Sequence, residues 1–177
     1  MRRSDLTENS TDLTKLPELA VEVGAADARL MKTRDIAVRE WVRWKCRFGC
    51  ENYGRSLTCP PYSPRPDETR ALLQGYEYAL LIRVNPDKKL HDLVLTLERA
   101  LFLRGYHSAL GLTAGSCKLC EECNVKGGIC LKPREARPSM EACGIDVFTT
   151  ARNAGYEMKV LTSRDQPYYR IALILVA

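Results

Sequence analysis

Short, nearly unbroken apolar runs alternate with amphipathic stretches along most of this chain. Residues 78–84 (YALLIRV) place apolar side chains on consecutive positions, which predicts a strand buried on both faces. After Asn85-Pro86-Asp87, Leu90, Leu93, Val94, Leu97 and Leu101 recur at three- and four-residue spacing and predict a helix that Gly105 ends. Residues 108–113 predict a second strand. Residues 157–162 and 168–176 predict two more, with a hairpin closing the chain. Toward the N-terminus the pattern is weaker: a helix over 16–23 ended by Gly24, a strand over 28–36, and a helix over 38–45. That last helix carries Trp41 and Trp44 as core or cluster-shielding residues. A further helix is expected from Asp67 as N-cap to Gln74, and two short ones over 138–143 and 146–153. Residues 1–15 are mostly polar and predict a flexible tail. The fold class expected is α/β (or α+β), a mixed sheet covered by helices, with residues 16–177 as one domain.

Two segments break this pattern, and both are rich in cysteine. In residues 46–66, Gly49, Gly54, Pro60, Pro61, Pro64 and Pro66 exclude a long regular element, and Cys46-x3-Cys50-x8-Cys59 runs through them. In residues 115–133 the spacing is Cys117-x2-Cys120-x2-Cys123-x6-Cys130, with Gly127-Gly128 at a bend and Cys143 following. Structural zinc sites use two separated Cys-x2-Cys knuckles, each gripping one ion from one side. Here a third cysteine arrives after only two more residues, as in the runs that wrap several corners of an iron–sulfur cluster. The spacing therefore favours a [4Fe–4S] cluster, one or two of them, over zinc. Gly115 and Gly127-Gly128 suit close backbone approach to cluster sulfurs, and equally suit plain tight turns.

With Cys143, the eight cysteines make two four-ligand sites. Without it one site has three thiolates and an open iron, and Cys143 is a small buried hydrophobe. One partition joins Cys46, Cys50, Cys59 and Cys143, and separately Cys117, Cys120, Cys123 and Cys130. A crossed one exchanges Cys59 and Cys130, as in two-cluster ferredoxins.

Composition narrows the function classes. The chain has 177 residues, enough for a buried core, so the cysteines are not needed as staples. The N-terminal arginines have no apolar stretch behind them, and no run is long enough to span a bilayer, so neither a signal peptide nor a membrane span is expected. A cytoplasmic, thiol-reducing setting follows as the expectation, one in which clustered cysteines mean metal or redox chemistry. The net charge of +5 is scattered without a nucleic-acid reader motif. Two [4Fe–4S]2+ cores with four thiolates each would carry about −2 apiece, leaving roughly +1, so nucleic acid is not the expected partner. With two histidines, His91 and His107, a histidine-rich zinc site or a catalytic triad is not expected. Arg55, Arg65, Lys118, Lys126 and Lys132 lie close to cysteines in sequence, where they can raise a cluster potential or meet an acidic partner.

Three stretches in order, CRFGCENYGRSLTCPPYSP (46–64), AGSCKLCEECNVKGGIC (114–130) and RPSMEACGIDV (137–147), resemble the motifs of the domain of unknown function 2284 family, described as predicted metal-binding proteins. The resemblance spans nearly everything after the polar tail. It implies metal binding through Cys46, Cys50, Cys59, Cys117, Cys120, Cys123 and Cys130, and brings no established reaction with it. The sequence departs from the family pattern at Leu131-Lys132, where a more basic or histidine-containing pair is expected. Taken together, the expected role is single-electron transfer with a redox partner protein. The alternatives are a zinc-stabilised interaction module and an open-iron enzyme acting on a small molecule.

Overall fold

The computed structural model describes residues 12–163 and 165–177; most of the expected N-terminal tail lies outside them. The carboxylate of Asp12 caps a 3-10 turn (Leu13–Lys15) that leads directly into α1 (Leu16–Val23). The remaining elements are β1 (Asp27–Lys32), α2 (Glu40–Gly49), α3 (Pro66–Leu73), β2 (Tyr78–Val84), α4 (Leu90–Phe102), β3 (Leu110–Leu112), α5 (Val147–Asn153) and β4 (Arg170–Leu175). The fold is α+β, and its four-stranded sheet, ordered β1-β2-β4-β3, is antiparallel at every pairing rather than mixed.

The unbroken apolar runs of β2 and β4 are explained by burial on both faces of the sheet. Leu80, Ile82 and Val84 of β2, with Ala172 and Ile174 of β4, face one cluster under α1 and α4. Ala79 and Leu81, with Ile171, Leu173 and Leu175, face a second cluster closed by Ile36, Val38, Leu73, Met140, Ile145 and Ala151. Because β2 and β3 both pair antiparallel with β4, they run parallel to each other. Helix α4 crosses between them as a split β-α-β unit.

This topology overturns one expectation. Residues 157–162 form no strand and there is no closing hairpin: both edges of β4 are already taken, by β2 and β3, and Val160 and Leu161 stay exposed. Other differences are of extent. The strand expected over 28–36 stops at Lys32, where a 3-10 turn (Thr33–Asp35) takes over. Helix α3 starts at Pro66, whose fixed φ suits a first helical position, and Arg65 N–H donates to Glu68 Oε2 at 2.6 Å in place of an Asp67 cap. The segment 138–143 contributes only a 3-10 turn (Glu141–Cys143). Helix α2 runs four residues past its expected end, so Cys46 lies on a helix. Its only buried side chain is Val42, whereas Trp41 and Trp44 are 47% and 61% exposed rather than in the core.

Candidate metal centre

Both cysteine segments leave the regular framework at one end of the sheet. The first (residues 50–65) links α2 to α3 through a series of turns with Pro60–Pro61 in the cis form, and the second (residues 113–140) follows β3. Each is tied down where it rejoins the fold. At the first, Arg43 lies on α2 one turn before Cys46, and its Nη1 donates to the carbonyls of Ser63 (3.1 Å), Pro64 (2.7 Å) and Ala142 (2.7 Å) and to Ser63 Oγ (2.8 Å). Ser63 Oγ and Thr69 Oγ1 donate to Ala142 O (2.8 Å) and Cys143 O (2.7 Å). One guanidinium and two hydroxyls therefore fasten α2, the end of the first segment and the 141–144 turn together. That turn closes on Gly144, whose φ of +80° and whose approach to Pro66, 2.8 Å from a would-be Cβ, both require glycine.

The second segment is held by Arg137, whose Nε and Nη2 meet the two carboxylate oxygens of Glu98 on α4 at 2.9 and 2.5 Å. Both side chains are 16% exposed, and the hydrogen bond to Glu98 holds the guanidinium pKa above its ordinary value. Glu98 Oε2 also accepts from Gly111 N–H at 2.7 Å, so β3, α4 and the exit of the segment share one carboxylate. Thr113 N–H and Met140 N–H exchange bonds with Pro138 O and Thr113 O, closing the segment's base.

All eight cysteines are free thiols. Cys117, Cys120, Cys123 and Cys130 line one narrow cavity of about 20 Å³, together with Ser56, Leu57 and Thr58 of the first segment. Leu57 N–H donates to Cys123 Sγ at 3.4 Å, joining segments 66 residues apart. Backbone N–H groups aimed at sulfur are the donors that tune thiolate-held metal centres. Cys46, Cys50 and Cys59 gather on the other side. The Cys59 thiol is pushed up first by burial and then by the negative charge of Cys50, Cys46 and Cys117, which are all within its electrostatic reach. Burial also raises Cys46, followed by the influence of Cys50 and Glu141, with Arg43 opposing. Cys117 thus belongs to the cavity of the second segment and to the electrostatic surroundings of Cys59. The two bunches, distant in sequence, are adjacent in space.

Cys143 stands apart. It is 2% exposed and packed into the apolar cluster of the second sheet face with Met140, Ile145 and Leu73. Burial pushes its thiol up to about 12, and its charged neighbours are Arg43 and Glu141 rather than another cysteine. Sequence spacing gave no notice of Arg43, and Glu141 stood out only as part of the 137–147 stretch. Glu141 is the less comfortable of the two: burial raises its carboxyl above the usual range, and its Oε2 has no hydrogen-bond partner among the described residues. His91 Nε2 donates to Glu135 O at 2.7 Å and so steadies the second segment. His107 stacks edge-on against Phe102, away from the cysteines.

The donor set fits a thiophilic metal or cluster: six free thiols on two contacting segments and Cys46 on α2, without histidine, and a backbone donor already on one sulfur. Among the described residues, no three Cys, His, Asp or Glu side chains converge closely enough to hold one ion. The described residues also contain no helix long and apolar enough to cross a membrane. No curated protein and no solved structure matches the chain. A family model does match, over residues 29–176, which takes in both cysteine segments and the whole sheet except the first two residues of β1. The chain therefore belongs to the family described as "Predicted metal-binding protein (DUF2284)".

Proposed function

We propose that this protein is an iron–sulfur protein that holds one or two [4Fe–4S] clusters and exchanges single electrons with a partner enzyme. The observation that carries this is the cavity lined by Cys117, Cys120, Cys123 and Cys130, with the Leu57 amide on Cys123. Four thiols from one segment would hold the first cluster. Cys46, Cys50 and Cys59 would supply three ligands to a second, and Cys143 would have to leave its apolar surroundings to become the fourth. A cluster bound there supplies a one-electron couple. The chain's own part is to gather the thiols, direct a backbone amide at sulfur and set cations nearby.

A partner surface is supported by α2, which carries Trp41, Trp44 and Phe48 at helical spacing, all exposed, immediately before Cys50. Trp44 and Phe48 stack at 5.6 Å, Lys45 lies over Trp41 and Arg47 over Phe48. An aromatic stripe edged with cations suits an acidic partner surface with an apolar centre.

The alternative is a zinc-stabilised module, and the small size of the thiol cavity favours it: about 20 Å³ is close to the room of one water-sized sphere. Anaerobic purification followed by iron, sulfide and zinc quantification separates the two. Iron and acid-labile sulfide in equal amounts support the cluster. A colourless protein with stoichiometric zinc and no sulfide rejects it.

A further inference from the structure

A second cavity, far roomier than the one between the thiols, opens at the carboxyl ends of the parallel strands β2 and β3. Its volume is about 530 Å³, within the size range of small-molecule sites. Both cysteine segments contribute to it: Asn52 lies between Cys50 and Cys59, and residues 115–119 include Cys117 itself. Cys117 also lines the narrow thiol cavity, so the two spaces share a wall. In open parallel α/β sheets ligands sit outside the carboxyl ends of the strands; here the cavity lies beyond the carboxyl ends of β2 and β3, where α4 begins, with β4 between the two strands.

Its charge is lopsided. Lys89, Lys118 and Arg170 line it against the single carboxylate of Asp92, three cations to one anion. None of the three cations pairs with a carboxylate among the described residues. Arg170 Nη2 is committed to the carbonyls of Asn85, Pro86 and Lys88, which fixes the loop ahead of α4, while its Nε has no partner among the described residues. His91 Nδ1 makes no hydrogen bond among the described residues and lies 3.6 Å from Asp92 Oδ1. The start of α4 adds positive potential, since Lys89 makes no side-chain cap there. Gly115, with φ +77° and no atom within 4 Å of a would-be Cβ, leaves the cavity wall open beside Ser116.

We propose that this cavity binds the oxyanion group, phosphate or carboxylate, of a small molecule and holds that molecule against Cys117. The anion site stands on the cavity and its charges alone; its meaning as a substrate or effector site beside a metal rests on the function proposed above.

The test is isothermal titration calorimetry on the full-length, anaerobically purified protein at low ionic strength, with inorganic phosphate in one arm and succinate in the other. At least one probe should bind saturably at one site, and the arm that binds identifies the oxyanion. Lys89→Glu, on the exposed rim, should weaken that binding about tenfold or more, and added salt should weaken it too. Arg99→Glu, the same charge change at the opposite end of α4, should leave it unchanged. No saturable binding of either probe, or equal weakening by both substitutions, overturns the proposal. Iron, sulfide and zinc are counted on the same samples. Saturable binding by protein that lacks sulfide would uphold the anion site while rejecting the cluster, so the two ideas fail separately.

Discussion

Tyr156 shows how a single side chain of this fold answers to its surroundings. It is buried at the second face of the sheet between two guanidiniums, with Arg29 4.3 Å and Arg83 5.3 Å from its ring centre. Its hydroxyl finds no hydrogen-bond partner among the described residues, and burial holds its ionisation well above the ordinary phenol range. A group whose pKa is raised on folding adds stability below its unfolded value, near 10, and loses it as the pH rises beyond. Alkaline unfolding should therefore begin above about pH 10, and Tyr156→Phe should flatten that loss while matching the parent at pH 7. Chemical denaturation at pH 7 and pH 11 measures both. Cys143 provides a second case. Cys143→Ala removes a sulfur from a tight apolar site and should cost about 1–2 kcal/mol of unfolding free energy, measured by chemical denaturation. If the thiol is packing rather than ligand, metal content per chain stays at the parent value. A fall in metal content would make it the fourth ligand.

At the scale of elements, what could be read from the sequence and what could not divide along sequence separation. Strands β2 and β4 and helix α4 were legible because their signals are local: consecutive apolar residues for strands buried on both faces, three-and-four spacing for the helix. The strand expected over 157–162 had a local apolar signal too, yet β4 had no free edge to offer it. Trp41 and Trp44 have core-like side chains on a helix that turns them outward. The fasteners were invisible, since Arg43 reaches Ala142 across 99 residues and Arg137 reaches Glu98 across 39. Each supports a measurement. Arg43→Ala removes the donor to the carbonyls of Ser63 and Pro64 and one of the two donors to Ala142 O, and should destabilise the fold by roughly 1–3 kcal/mol; Arg43→Lys, whose nitrogen sits on a shorter side chain, should recover only part. Gly111→Ala would set a methyl carbon 2.3 Å from Val94 Cγ1 and crowd Glu98, with an expected cost of about 1–3 kcal/mol in thermal or denaturant unfolding.

For the whole molecule, the sheet and its two apolar clusters form a scaffold to which the cysteine segments add Ala114 and Met140 at the base of the second, and the segments are attached to it through Arg43, Glu98 and Arg137. Chelation should accordingly loosen residues 50–65 and 113–140 without unfolding β2, β4 and α4, visible as selective loss of amide hydrogen-exchange protection in those two segments. Cysteine spacing pointed to the chemistry. It could not say that Cys117 comes within electrostatic reach of Cys59, or that Cys143 lies in the core, because both facts depend on how the 141–144 turn and the first segment are fastened. The central claim is that thiols of the second segment hold a redox-active iron–sulfur cluster. The most direct measurement is the electron paramagnetic resonance spectrum of the anaerobically purified full-length protein before and after dithionite reduction. A reduced [4Fe–4S] signal, diminished by Cys120→Ser, is the expected result. Absence of any signal from the reduced protein, with zinc as its metal, would contradict the account.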